Sequence, residues 1–126
     1  MNERSSNADR KAIKREYKET YQPAGVYQLR NTVDGRVYVA SSKNLPAIRN
    51  RLRMQLDGGT FVMLPELQRD WTALGGDKFV FETLEELTPP DGPGWDSTDD
   101  LAALEQLWLE QLEPWGEKGY NRPPKK

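Results

Sequence analysis

Tyr27 and Tyr38 stand in two short apolar, β-branched runs, Gly25-Val26-Tyr27 and Val37-Tyr38-Val39-Ala40, with Asn31-Thr32-Val33-Asp34-Gly35 between them. Asp-Gly between two such runs signals a tight hairpin, because glycine accepts the positive φ that hairpin turns demand. A hairpin with one tyrosine on each strand can aim two phenols at one spot. The 126-residue chain has no histidine and no cysteine. Their absence removes disulfides, thiolate chemistry, the commonest general base and the commonest metal ligand. Any catalysis must therefore use tyrosine, lysine, arginine or carboxylates.

Charge is divided along the chain. Residues 1–53 hold 12 Lys+Arg against 5 Asp+Glu, and residues 54–126 hold 6 against 15. Only the first half can meet phosphate favourably; the two halves could equally complement each other. Arg49, Arg51 and Arg53, with Lys43 before them, make a candidate nucleic-acid-binding patch, which Lys11, Lys14, Arg15 and Lys18 extend. No apolar run approaches the ~20 residues that span a bilayer, and the start of the chain is polar, so a cytoplasmic protein without a membrane segment is expected.

The length suits one domain with a modest core. Residues 1–23 read as a polar tail and a surface helix from Ala8 to about Tyr21, with Ala12, Ile13, Tyr17 and Tyr21 as its sparse apolar stripe. The domain proper spans 24–122, and 123–126 form a tail. After the hairpin, Asn44 caps a helix whose apolar residues Leu45, Ile48, Leu52 and Leu56 recur at helical spacing, and Asp57-Gly58-Gly59 stops it. Pro65 opens a second helix through Leu74, with Leu64, Leu67, Trp71 and Leu74 on one face. A strand rich in β formers covers Lys78–Leu84. A loop over 88–97 contains Trp95, an aromatic that could fold back or meet a partner. A last helix, capped by Ser97 or Thr98, runs from Asp99 to about Glu113, with Leu101, Leu104, Trp108 and Leu112 pointing inward. The expected architecture is an α+β layered domain: a small three-stranded sheet containing an antiparallel hairpin, flanked by helices.

The two triplets and the segments that follow resemble the GIY-YIG nuclease family over roughly residues 25–121. Gly25-Val26-Tyr27 and Tyr38-Val39-Ala40 match its paired signature triplets, with Val for Ile and Ala for Gly. Ala40-Ser41-Ser42-Lys43-Asn44-Leu45 resembles its GSSxNL segment, Leu67-Gln68-Arg69-Asp70-Trp71 its LQxxW helix, and Phe79-Val80-Phe81-Glu82 its third strand. Gly119-Tyr120-Asn121 resembles its late GYN element. The resemblance implies phosphodiester hydrolysis, with Tyr27 and Tyr38 near the attacking water, a helix arginine on the phosphate, Glu105 holding one Mg2+ or Mn2+ ion, and Asn121 completing the site. The chain departs from the pattern where the arginine belongs: that position is Ile48, and Leu52 and Phe61 replace frequent histidines. Arg49 or Arg51 is close enough around the helix to be a substitute. Losing a phosphate-contacting cation typically costs several kcal/mol of barrier, on the order of a thousandfold in turnover.

The resemblance therefore implies a GIY-YIG-like domain that binds DNA or branched nucleic acid with reduced or lost cleavage. Two alternatives stay open: a working divalent-metal-dependent endonuclease, and a protein-interaction module that keeps only the scaffold.

Overall fold

A computed structural model describes residues 23–88 and 96–124. The expected helix over 8–21 and Trp95 lie outside the described residues. β1 (Gly25–Asn31) and β2 (Val37–Ser42) form the predicted antiparallel hairpin. Gly35 takes φ 84°, the conformation for which a glycine was expected. The turn closes on the Asn31 backbone, whose carbonyl accepts from Gly35 N–H at 2.8 Å and whose N–H donates to the Arg36 carbonyl at 2.8 Å.

β3 (Phe79–Glu86) pairs antiparallel with the other side of β1, so the sheet order is β2-β1-β3. β3 runs past its expected end at Leu84 because β1 offers partners as far as Gly25, which pairs with Glu86. Gly25 is needed there: a Cβ would lie 2.2 Å from the Glu85 carbonyl oxygen.

Helix α1 (Leu45–Asp57) starts as its sequence demands. The Asn44 side chain accepts from Ala47 N–H at 3.0 Å, and Pro46 occupies the first turn, where a missing N–H leaves no bond broken. Leu45, Leu52 and Leu56 are buried, and Ile48 packs half-buried against them. Helix α2 (Pro65–Leu74) buries Leu67 and Trp71 against the same cluster. Leu74, expected on that face, lies past the end of the cluster and is 37% exposed.

Helix α3 (Thr98–Leu112) lies across β1 and β2. Ser97 occupies the N-cap position and its carbonyl accepts from Leu101 N–H at 2.7 Å, but its hydroxyl makes no cap bond; the Asp96 carboxylate accepts from Thr98 N–H at 3.0 Å and from Thr98 Oγ1 at 2.6 Å. These bonds, the first of the causes, hold the Asp96 carboxyl down at about 2. Only Leu101 of the four expected inward residues is buried. Trp108 is not a core residue: it is half-buried, and its indole N–H donates to Glu85 Oε1 at 3.0 Å at the surface. A helix laid on the outer face of a narrow sheet has no second layer to cover its flanks.

The C-terminal segment closes the free edge of β2. Tyr120 N–H donates to the Val37 carbonyl at 2.9 Å, and Val37 N–H to the Lys118 carbonyl at 3.2 Å. The Asn121 amide then grips the Val39 backbone from both sides, accepting at 2.8 Å and donating at 2.7 Å. Tyr120 is buried between Asn31, which donates to its hydroxyl at 3.0 Å, and Asp70, to which that hydroxyl donates at 2.7 Å. Asp70 also holds Arg36, whose guanidinium lies 4.4 Å from the Tyr120 ring centre.

Asn121→Ala leaves two polar groups of the buried Val39 without partners, and it should cost about 2–3 kcal/mol. Urea unfolding checks this: the midpoint should fall with an unchanged slope, and Asn121→Asp, which keeps the acceptor, should fall less.

Candidate functional site

Side chains alternate along a strand, so Tyr27 and Leu29 share one sheet face with Tyr38, Ala40, Phe79 and Phe81. Tyr27 is opposite Ala40, and Tyr38 opposite Leu29, so the phenols meet on a diagonal. Their ring centres are 6.2 Å apart at 79°, edge to face. Phe81 stacks on Tyr27 at 4.9 Å, and Phe61 meets Tyr38 edge-on at 6.0 Å. Tyr27 is 2% exposed and Tyr38 8%, so both rings belong to the core as well as to any site.

Burial pushes the Tyr27 phenol far above its ordinary range, and the adjoining Tyr38 and the Glu105 charge push the same way. Tyr38 is raised too, first by burial and further by Glu105, while the adjoining Tyr27 hydroxyl opposes the rise. Neutral phenols can donate a hydrogen bond, but they are poor bases near neutrality. Neither ring has a cationic partner among the described residues.

The other expected site residues are distributed around this pair. Glu105 is half-buried, and Ser41 Oγ donates to its Oε1 at 2.7 Å. Ser41 alternates with Ala40 and so presents the sheet face on which α3 lies. The Glu105 charge acts on the phenols from there without touching them. Asn121 is engaged by Val39, as described above. Lys43 reaches Asp96 at 3.3 Å, both side chains exposed.

Arg49 and Arg53 line a groove of about 620 Å³ between α1 and β3, together with Leu29, Phe79 and Phe81 and the acidic Asp77 and Glu86. Arg53 also pairs loosely with Asp57 at 3.8 Å. Arg51 is exposed, and neither it nor Arg49 makes an ion pair among the described residues. Neither tyrosine lines the groove, nor does Arg51, and no contact between Arg49 or Arg51 and the phenols forms among the described residues.

Two features escaped the sequence reading. Ser41 was seen only as part of a segment, and its bond to Glu105 crosses 64 residues. Arg36, which joins Asp34 at 3.0 Å, Glu66 at 3.7 Å and Asp70, carried no signal beyond being a charge near a turn.

No family model matches the sequence, and no curated protein matches it. Among solved structures, the chain is similar to the catalytic domain of the homing endonuclease I-TevI, at 28% identity and a TM-score of 0.63, over 80% of this chain and 99% of that one. It is likewise similar to the catalytic domain of the intron endonuclease I-TevI carrying one glutamate-to-alanine change, at 27% identity and a TM-score of 0.65, over 79% and 93%. The chain thus has the fold of the GIY-YIG nuclease catalytic domain, as its paired triplets predict. No helix among the described residues is long and apolar enough to cross a membrane.

The raised phenols link stability to pH. An unfolded tyrosine ionises near 10, whereas folded Tyr27 and Tyr38 keep their protons above that and Tyr120 is pushed up, chiefly by burial, to about 12. The native state then binds more protons than the unfolded one. Stability is fully present below about pH 10 and falls as pH rises further, by up to about 1.4 kcal/mol per unit for each retained proton. Urea midpoints measured across that range should show a shallower decline in Tyr27→Phe than in the wild type.

Proposed function

We propose that this chain is a nucleic-acid-binding domain on the GIY-YIG nuclease fold, with phosphodiester cleavage reduced or lost. One observation carries this reading. Ile48, where the family resemblance places an arginine, packs its aliphatic side chain half-buried against the core cluster. Attack on phosphorus spreads negative charge over the equatorial oxygens, and a fixed donor there is worth about 10²–10³-fold in rate. Ile48 supplies none, and Tyr27 and Tyr38 are held in their neutral form. Asn121 contributes by keeping β2, and so Tyr38, in place.

Glu105 and Ser41 offer one carboxylate and one hydroxyl, joined at 2.7 Å. Such a set fits a hard divalent cation, Mg2+ or Mn2+, that completes its shell with water and substrate phosphate. No cluster of three or more metal-ligating side chains forms among the described residues. Glu105 would hold the ion together with phosphate, and when bound it would supply a Lewis acid to the phosphoryl oxygens. Binding itself rests on Lys43, Arg49, Arg51 and Arg53, whose charges among the described residues are unpaired or in exposed pairs that phosphate can replace at little cost.

Arg51, exposed and one helical turn beyond Ile48, is what favours the second reading, a working endonuclease. The exposed Met54 (74%), Val62 (81%) and Met63 (56%) are what a protein-interaction module would use.

Labelled duplex should be retained at low salt and released steeply as salt rises, and Arg49→Ala and Arg51→Ala should each reduce the salt slope by about one. In a plasmid assay with Mg2+ or Mn2+, nicking should be absent or marginal. Metal-dependent nicking that Glu105→Ala abolishes would establish the endonuclease reading instead. No retention at low salt would leave the interaction module standing.

A further inference from the structure

We propose that Ser41 is a positioning residue for Glu105: its hydroxyl fixes one carboxylate oxygen so that the other, Oε2, is presented to a divalent cation. This rests on reading Glu105 as the metal-holding carboxylate.

Glu105 differs from the other acids of its helix. Asp99, Asp100 and Glu110 are exposed, and Glu110 accepts only from Gln106 within the helix, at 3.1 Å. Glu105 is half-buried and is the one held from the sheet, by Ser41 Oγ at 2.7 Å. The other two half-buried carboxylates among the described residues, Glu82 and Asp70, are paired with Arg30 and Arg36. Among the described residues Glu105 has no ion pair, and its uncancelled charge is felt by both phenols.

One neutral donor directs a carboxylate without neutralising it, which is what a ligand awaiting a cation requires. The serine is itself held. The Asn121 grip on Val39 fixes β2 just before Ser41, and Lys43–Asp96 ties the end of that strand to the start of α3. The strand that carries the hydroxyl and the helix that carries the carboxylate are therefore joined on both sides of the bond. Restricting the glutamate rotamers beforehand removes an ordering cost that a lone carboxylate would meet on binding.

The test is Mn2+ binding to the full chain by electron paramagnetic resonance, with and without a short DNA duplex, so that cleavage is not the readout. Ser41→Ala should weaken Mn2+ binding by about 10-fold or more, and Ser41→Thr, which restores the hydroxyl, should recover most of it. Ser41→Val matches threonine in shape but lacks the hydroxyl, and it should behave like Ser41→Ala; thermal melts of all three show that the domain is folded. Wild-type affinity in Ser41→Ala and Ser41→Val, with binding lost in Glu105→Gln, overturns the positioning role while leaving the metal role of Glu105 intact. Wild-type affinity in Glu105→Gln, or no Mn2+ binding by the wild type under either condition, overturns the metal reading and the proposal with it.

Discussion

The grip of the Asn121 amide on the Val39 backbone is the contact on which the remaining architecture depends. β2 is an edge strand, and an edge presents unpaired N–H and C=O groups that must be covered. The strand also carries Tyr38 on one face and Ser41 on the other. Residues 118–121 cover its edge with backbone bonds at Val37 and the side-chain amide at Val39. Gly119 permits that approach, since a Cβ there would sit 2.3 Å from the Pro114 carbonyl oxygen. Tyr120 extends the closure inward, sharing Asp70 with Arg36 and linking the hairpin turn to α2. Strand, helix and C-terminus thus stiffen one another around the two tyrosines.

Placing those tyrosines in the core has chemical consequences. Stacked on Phe81 and Phe61, they stabilise the sheet as large apolar surfaces do. The same desolvation disfavours the phenolate, and the Glu105 charge disfavours it further. A nearby cation would offset both effects, yet position 48 offers a branched hydrocarbon. Among the described residues of α1, Arg49 and Arg53 lie along the groove and Arg51 in solvent.

Much of the scaffold was legible along the chain. The Asp-Gly turn, the Asn44 cap, the 3–4 spacing of apolar residues in α1 and the helix stop at Gly58 all depend on neighbouring residues. They appear where the sequence placed them. Sequence reading failed where burial depends on what lies across the fold. Trp108 and Leu74 follow the inward periodicity of their helices, but the described residues cover them only in part, leaving Trp108 half-buried and Leu74 37% exposed. The paired triplets identified the fold because they specify a local hairpin together with the pair of side chains it presents.

Local conformational preference, acting over a few residues, determined from the sequence alone which segments become strands, turns and helices, and that two phenols share one sheet face. Where the polar side chains go was decided only by the tertiary structure. Asn121 closes on Val39 across 82 residues, and Ser41 reaches Glu105 across 64. Arg49 lines a groove because α1 docks on the sheet through its leucines, with Ile48 packed beside them. A side chain bonds to whatever the packed core brings within about 3 Å, and proximity of that kind has no counterpart in spacing along the chain.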